Sequence, residues 1–320
     1  VIKVKERYNI YSQYLKKKYG EKVYKLPIMT VTNCPNRDGT LGWGGCDFCD
    51  EMGSGFNCLS SETPIIEQIR KNKEYVKTRY KAKLFIAYFQ AFSNTYLPFD
   101  QFKENILQAT REPDIVEIAI STRPDCINNQ YLEFLQSTQR TKNIKINVEL
   151  GLQTANYHIL EKINRKHTLA DFIDAVLRIK AKELTTTAHL ILNLPESDMI
   201  DAIESAKIIS ALKVDFAKLH SLYIVEGSSF AQKLQNNQIT LCSKEEYVDR
   251  VVTFLEYLDP NMVIQRLVAR GPRDKTIFEN WNQSWWAIKQ EIESALEERD
   301  TCQGRYFNYL DGKALKLKFQ

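Results

Sequence analysis

Apolar, β-branched runs recur along this chain, often about thirty residues apart; they span 26–32, 84–89, 115–121, 144–150, 185–192 and 214–219. Between them, hydrophobic positions fall at helical spacing, and several stretches open with a recognisable start. Thr63-Pro64 puts a hydroxyl ahead of a proline at the first helical position. Thr168 with Asp171, and Ser243 with Glu246, have the capping-box spacing, in which a hydroxyl and a carboxylate satisfy each other's backbone donors. Six alternations of strand and helix predict an α/β chain with βα units and a parallel sheet, closed towards a barrel or doubly wound. In both architectures chemistry collects at the C-terminal ends of the strands.

Polar residues come after every predicted strand. The first strand leads into a cysteine-rich loop and the second into Tyr88-Phe-Gln-Ala-Phe-Ser-Asn-Thr-Tyr96. The third leads into Ser121-Thr-Arg-Pro-Asp125, the fourth into Glu149-Leu-Gly-Leu-Gln153, the fifth into Asn193-Leu-Pro-Glu196 and the sixth into Lys218-Leu-His-Ser-Leu-Tyr223. Beyond residue 225 the rhythm changes. The chain there holds a capped helix from Ser243, a short apolar run over 262–267 and a tryptophan-bearing helix, with Trp285, Trp286 and Leu296 assigned to the core. The chain thus divides into a basic extension (1–25), a barrel (26–225) and a C-terminal part (226–320) expected to cover the barrel mouth.

The loop after the first strand reads Asn33-Cys-Pro-Asn-Arg-Asp-Gly-Thr-Leu-Gly-Trp-Gly-Gly-Cys-Asp-Phe-Cys-Asp50. By itself it leaves two readings open. Cys34, Cys46 and Cys49 can hold three irons of a 4Fe–4S cube and leave the fourth iron open, where an electron-transfer cluster normally uses four cysteines. With Cys58 added, the same loop makes a four-cysteine zinc knuckle. Gly39, Gly42, Gly44 and Gly45 allow tight folding, some at positive φ, and clear side chains from a bulky inorganic group. A purely structural zinc site does not account for polar residues after every strand.

The 320 residues are enough for a sizeable core, and no apolar run is long enough to span a bilayer. Seven cysteines behind a start without a signal-peptide h-region predict a reducing cytoplasm, with Cys126, Cys242 and Cys302 as ordinary thiols. The net charge of +4 is unevenly spread. Residues 1–25 carry Lys3, Lys5, Arg7, Lys16, Lys17, Lys18, Lys22 and Lys25, interleaved with Tyr8, Tyr11, Tyr14, Tyr19 and Tyr24. A second basic run holds Arg70, Lys71, Lys73, Lys77, Arg79, Lys81 and Lys83. Such stretches grip phosphates and stack on bases, or else form a solvated face with the tyrosines packed inward.

Taken together, the cysteine loop, Tyr-Phe-Gln-Ala-x-x-Asn-Thr-Tyr, Glu-Leu-Gly-Leu-Gln-Thr and Asn-Arg-x-His resemble the radical S-adenosylmethionine superfamily. The resemblance is to an uncharacterised branch similar to the radical domain of the Elongator catalytic subunit, and it runs from about residue 26 to 303. It implies a partial (βα)6 TIM-type barrel with a C-terminal α/β extension. It also implies a 4Fe–4S cluster on Cys34, Cys46 and Cys49, and S-adenosylmethionine chelated at the open iron. One electron then cleaves the cofactor to methionine and a 5′-deoxyadenosyl radical that abstracts hydrogen from substrate.

By position, the resemblance puts Phe48 near the adenine and Gln90 and Ser93 at the methionyl amine. It puts Ser121 and Arg123 after the third strand, with Arg123 or Arg165 on the carboxylate, and Glu149 and Gln153 on ribose hydroxyls or substrate. His220 and Tyr223 face the presumed substrate, and no histidine, including His158, His167 and His189, is expected to bind metal. Asn193 and Glu196 stand where relatives often carry glycine, and Tyr223 and Glu226 where a histidine and a lysine are expected.

The expected activity is radical modification of tRNA, at a wobble uridine, with tRNA and a flavodoxin- or ferredoxin-type electron donor as partners and neither membrane nor DNA. A methylthiotransferase carries a further cysteine triad, which the remaining cysteines do not form. The alternatives are a radical enzyme on a small molecule or peptide, and a zinc- or cluster-stabilised module without chemistry.

Overall fold

The structure, a computed structural model, describes residues 6–30, 32–53 and 55–316. Among these residues nine strands are formed: β1 (Val23–Ile28), β2 (Leu84–Phe89), β3 (Ile115–Thr122), β4 (Lys145–Gln153), β5 (Thr185–Ile191), β6 (Phe216–His220), β7 (Tyr223–Val225), β8 (Val263–Arg266) and β9 (Thr276–Glu279). Seven make one sheet in the order β1-β2-β3-β4-β5-β6-β8, all neighbours parallel, while β7 and β9 form a separate antiparallel pair. The expected six-unit partial barrel therefore carries a seventh strand, supplied by the run at 262–267 after a long crossover.

Alternation along the strands separates two environments. In β4, Ile146, Val148, Leu150 and Leu152 belong to the main hydrophobic core, shared with Phe172, Val176 and Ile179 of helix Leu169–Ala181. Asn147, Glu149 and Gly151 alternate with them on the opposite, inward face. Burying both faces makes parallel strands nearly continuous in apolar residues. The inward exceptions are thus the informative positions.

The open seam between β1 and β8 is filled by helix Tyr11–Tyr19. Ile264 donates its N–H to the Asn9 carbonyl at 2.8 Å, so the chain entering this helix runs alongside β8. Tyr11 and Tyr14 pack edge-on against Phe216 of β6, at 5.4 and 5.5 Å between ring centroids. Together with Leu15, Ile86, Tyr88 and Val263 they form the apolar floor of the barrel. The tyrosines of the basic extension are therefore turned inward. Tyr8 and Tyr11 are buried, and Tyr24 stacks on Tyr80 at 4.7 Å. Lys3 and Lys5 lie outside the described residues.

The second basic run is largely neutralised. Arg70 and Lys73 pair with Glu112, Lys73 and Lys77 with Asp114, Lys71 with Glu67, and Lys83 with Glu21.

One strand boundary, one helix start and one helix face need correction. β1 begins at Val23 rather than at 26 and ends at Ile28. Beyond it, the backbone of Met29 is satisfied by Gln68, which accepts from its N–H and donates to its carbonyl at 2.9 and 2.8 Å, so the apolar run leaves the sheet. Helix Ile65–Tyr80 takes Pro64 as its cap position with no side-chain cap, and the Thr63 carbonyl instead accepts from Gln68. The boxes at Thr168 and Ser243 are formed. In helix Trp285–Glu298 the buried stripe is Ile288, Ile292 and Leu296, with Trp285 half-buried against the core. Trp286, one position round the helix, is 62% exposed and stacks on Trp285. No helix among the described residues is long and apolar enough to cross a membrane.

Candidate active site

A cavity of about 1310 Å³ runs from the cysteine loop through the barrel interior to the seam beside β1. Cys34, Cys46, Cys49, Phe48, Gln90, Ser93, Ser121, Arg123, Glu149, Gln153, Arg165, His220 and Tyr223 all line it. Cys58 and Glu226 do not; Glu226 is exposed, and burial pushes the Cys58 thiol up to about 12.

The cysteine loop is held by side chains whose spacing now makes sense. Asn36 is fully buried and donates from Nδ2 to the Asn164 carbonyl at 2.6 Å, while Asn164 returns Nδ2 to the Gly45 carbonyl at 2.7 Å. The first asparagine after Cys34 and the asparagine of Asn164-Arg-Lys-His167 thus lock two distant segments together. Asp47 extends the lock, since its N–H bonds the Ile163 carbonyl and its carboxylate pairs with Lys233. Gly45 sits at φ +86°, a conformation L side chains rarely adopt. Gly42 makes room of another kind, because a Cβ there would stand 2.5 Å from Asn36 Oδ1.

Cationic and amide donors surround the sulfurs. Arg165 Nη1 and Asn36 Nδ2 reach Cys46 Sγ at 3.4 and 3.5 Å, and Arg37 Nη1 reaches Cys49 Sγ at 3.5 Å. Arg165 is positioned by the Gly151 carbonyl, which accepts from its Nη2 at 2.8 Å and from His167 Nε2 at 2.9 Å. Burial and the nearby Arg165 and Arg123 push His167 down to about 2, so it stays neutral and structural. A Cβ at Gly151 would lie 2.7 Å from Arg165 Nη2 and 2.8 Å from Gln153 Nε2, which explains the glycine inside Glu-Leu-Gly-Leu-Gln.

Arg123, expected on a cofactor carboxylate, is already forked onto Asp125 at 2.9 and 2.7 Å. Its Nη1, like Nε of Arg165, is buried without a partner. Burial and the adjacent Cys46 push Cys49 up to about 12, so a bare thiol there keeps its proton until a metal displaces it. Among the described residues no three His, Cys, Asp or Glu side chains converge as a single-ion site. A cube needs no such convergence, since each iron takes its own thiolate. Three thiols opening on one cavity, ringed by donors and with two orphaned guanidinium N–H groups nearby, fit a cluster and an amino-acid-bearing cofactor.

Glu149 lines the cavity with its oxygens already engaged. They accept from Lys25, from His189 Nε2 at 2.8 Å and from Lys218 Nζ at 3.1 Å, and its side chain is fully enclosed. Those bonds tie it into the chamber floor. Burial alone would push the carboxyl up, but Lys218, Lys25 and His189 override it and hold it well below the usual range. Lys218 is pushed down to about 7 by burial, against the pull of Glu149, and His189 down to about 4 by burial and Lys218. Lys218 also donates to Tyr88 Oη at 2.8 Å, and Tyr88 exchanges a bond with Ser121 Oγ at 2.9 Å. Gln265 joins Lys25 to Thr187, and Arg266 stands against His220.

Sequence reasoning passed over Lys25, Tyr88, His189, Lys218, Gln265 and Arg266 as site residues. The signal was a charged residue inside an otherwise apolar parallel strand, as in Val-Tyr-Lys25-Leu and Phe-Ala-Lys218-Leu. Of the glycine replacements, Asn193 ties strand exits together by accepting the Leu222 N–H at 2.7 Å, and Glu196 pairs with Lys162.

Comparisons with known proteins agree with this geometry. Residues 30–208 match the Radical SAM superfamily and residues 214–298 the Radical_SAM C-terminal domain. The uncharacterized protein YtqA of Bacillus subtilis is 31% identical over 306 residues, 96% of this chain and 94% of its own length. A tRNA uridine(34) acetyltransferase of Methanocaldococcus jannaschii is 27% identical over 167 residues, covering 51% of this chain and 30% of that protein. The solved structure of Methanocaldococcus infernus Elp3 shares the fold at a TM-score of 0.63 and 16% identity, covering 88% of this chain and 64% of that one. The chain therefore belongs to the radical SAM superfamily, whose members work with a 4Fe–4S cluster and S-adenosylmethionine.

Proposed function

We propose that this protein is a radical enzyme that modifies tRNA, with Cys34, Cys46 and Cys49 as the cluster ligands. The observation that carries the reading is the gathering of three thiols and the orphaned N–H groups of Arg123 and Arg165 around one cavity. When bound, the cluster and S-adenosylmethionine supply a one-electron cleavage of a sulfonium–carbon bond and hence a carbon radical that abstracts hydrogen.

The chain's own residues hold and shelter that chemistry. Arg165 and Asn36 donate to the Cys46 sulfur and Arg37 to that of Cys49, contacts that would hold the ligand sulfurs in place. Arg123 and Arg165 would take the cofactor carboxylate, Gln90 and Ser93 its amine, Gln153 its ribose, and Phe48 would cover the adenine. Trp285, Arg270 and Arg273 line the same cavity, in which His220 and Tyr223 would meet substrate. An electron donor of the flavodoxin or ferredoxin type completes the scheme.

Two features favour tRNA. A relative over half the chain is named for uridine 34 of tRNA. Exposed Arg270 and Arg273 suit a phosphate backbone. Tyrosine stacking from the N-terminal segment does not contribute, because those rings are packed inward. The test is anaerobic turnover with dithionite. Bulk tRNA from cells lacking the enzyme should raise 5′-deoxyadenosine formation several-fold, and added salt should suppress that rise. Stimulation by a small-molecule or peptide fraction, with none by tRNA, would replace tRNA with that substrate class.

A further inference from the structure

Three basic side chains, Lys25, Lys218 and Arg266, stand around Glu149, and the second carboxylate of this region, Glu117, is engaged by Lys18. Lys25 and Lys218 share Glu149 between them. Arg266 has no such partner. It ends β8, lines the cavity, and directs Nη2 at the ring nitrogens of His220 at 3.1 Å, while its Nε is buried without an acceptor. Among the described residues no carboxylate stands at ion-pair distance from it.

Arg266 is half-buried with an enclosed Nε, and a guanidinium drawn out of water is ordinarily paired or coordinates something, because losing hydration without compensation is costly. An arginine cannot escape by losing its proton. His220 offers it only a weak neutral acceptor. Tyr223, Arg270 and Arg273 extend the same wall towards solvent, adding positive charge and no acid. This wall is built from the ends of β6 and β8, the start of β7 and the loop between β8 and β9, whereas Arg123 and Arg165 stand beside the cysteines.

We propose that Arg266, with His220 and Lys218 beside it, binds an anionic group of the substrate, a carboxylate or a phosphate, and so selects acidic substrates. The proposal rests on the chamber being where substrate enters, and not on the substrate being tRNA.

The test uses anaerobic, cluster-loaded protein saturated with S-adenosylmethionine, titrated calorimetrically with inorganic phosphate and, separately, with succinate in a zwitterionic buffer. Wild type is expected to bind at least one of them, and Arg266→Gln to weaken that binding tenfold or more, with Arg266→Lys in between. A preference for phosphate assigns a phosphoryl group, and a preference for succinate a carboxylate. S-adenosylmethionine affinity, measured in parallel, should be the same in all three proteins, and circular dichroism reports separately that the variants are folded.

Equal anion binding by wild type and Arg266→Gln, or no binding of either anion by wild type, overturns the proposal. So does loss of S-adenosylmethionine binding in a folded Arg266→Gln protein, which would make Arg266 a cofactor ligand. If loaded enzyme cleaves no cofactor while anion binding still follows Arg266, the anion site stands and the radical reading alone falls.

Discussion

Replacing Cys46 with serine is expected to strip the protein of its iron. Cys46 is the most enclosed of the three loop cysteines, 5% exposed, and its sulfur is the one that both Arg165 and Asn36 approach. A serine oxygen is a poorer ligand for iron and keeps its proton at neutral pH. Anaerobically reconstituted wild type should carry about four irons per chain, and Cys46→Ser a small fraction of that, with the charge-transfer absorbance lost in parallel.

Cys58→Ser is the control that separates a three-cysteine cluster from a four-cysteine zinc knuckle. Cys58 lies off the cavity, and its thiol is held protonated by burial, so this variant should retain wild-type iron. Equal loss of iron from the two variants would favour the knuckle.

The largest effect on stability should come from Glu149→Ala. Removing this carboxylate leaves Lys25 and Lys218 facing each other in an enclosed floor, and breaking a buried ion pair from one side typically costs about 3–5 kcal/mol. The pH dependence carries a sign. In wild type, Glu149 is held well below its ordinary value, so its contribution is complete above the unfolded carboxyl range and is lost only as pH falls through the lowered folded value. Lys218 sits near 7 with Glu149 present. Without it, Lys218 falls further and loses its proton in the folded state while the unfolded chain keeps it. Unfolded variant then binds more protons than folded variant, so the deficit should widen as pH drops from about 7 towards 5.5. Urea titrations at several pH values measure this. A deficit under about 1 kcal/mol, flat with pH, would mean that water rather than Glu149 compensates the lysines.

The sequence made the barrel legible because its outward faces are regular. β2 coincides with its predicted run, and β3 and β5 differ from theirs by one residue at one end. β1 was displaced because inward Lys25 makes its start look polar, and because the apolar residues after Ile28 bond to Gln68 instead of a neighbouring strand. β8 was visible as an apolar run but not as a member of the main sheet. Its partner β6 lies more than forty residues earlier, and nothing local encodes that pairing.

The candidate site was legible in the same uneven way. Loop motifs named the residues at the rim, since glycines and cysteines at fixed spacing carry a geometric requirement. The floor was not named, because a lysine or histidine inside a strand acquires meaning only when the barrel closes and sets it against Glu149. Arg123 shows the limit from the other side. It lines the cavity, but its fork onto Asp125, two residues on, is a local contact that the motif did not reveal.

The most direct test of the account is the formation of 5′-deoxyadenosine by anaerobically reconstituted protein given dithionite and S-adenosylmethionine, with Cys46→Ser alongside. The account predicts formation by wild type, increasing with tRNA, and none by the variant. A fully loaded cluster that yields no 5′-deoxyadenosine, with or without tRNA, or a yield unchanged in Cys46→Ser, would contradict it.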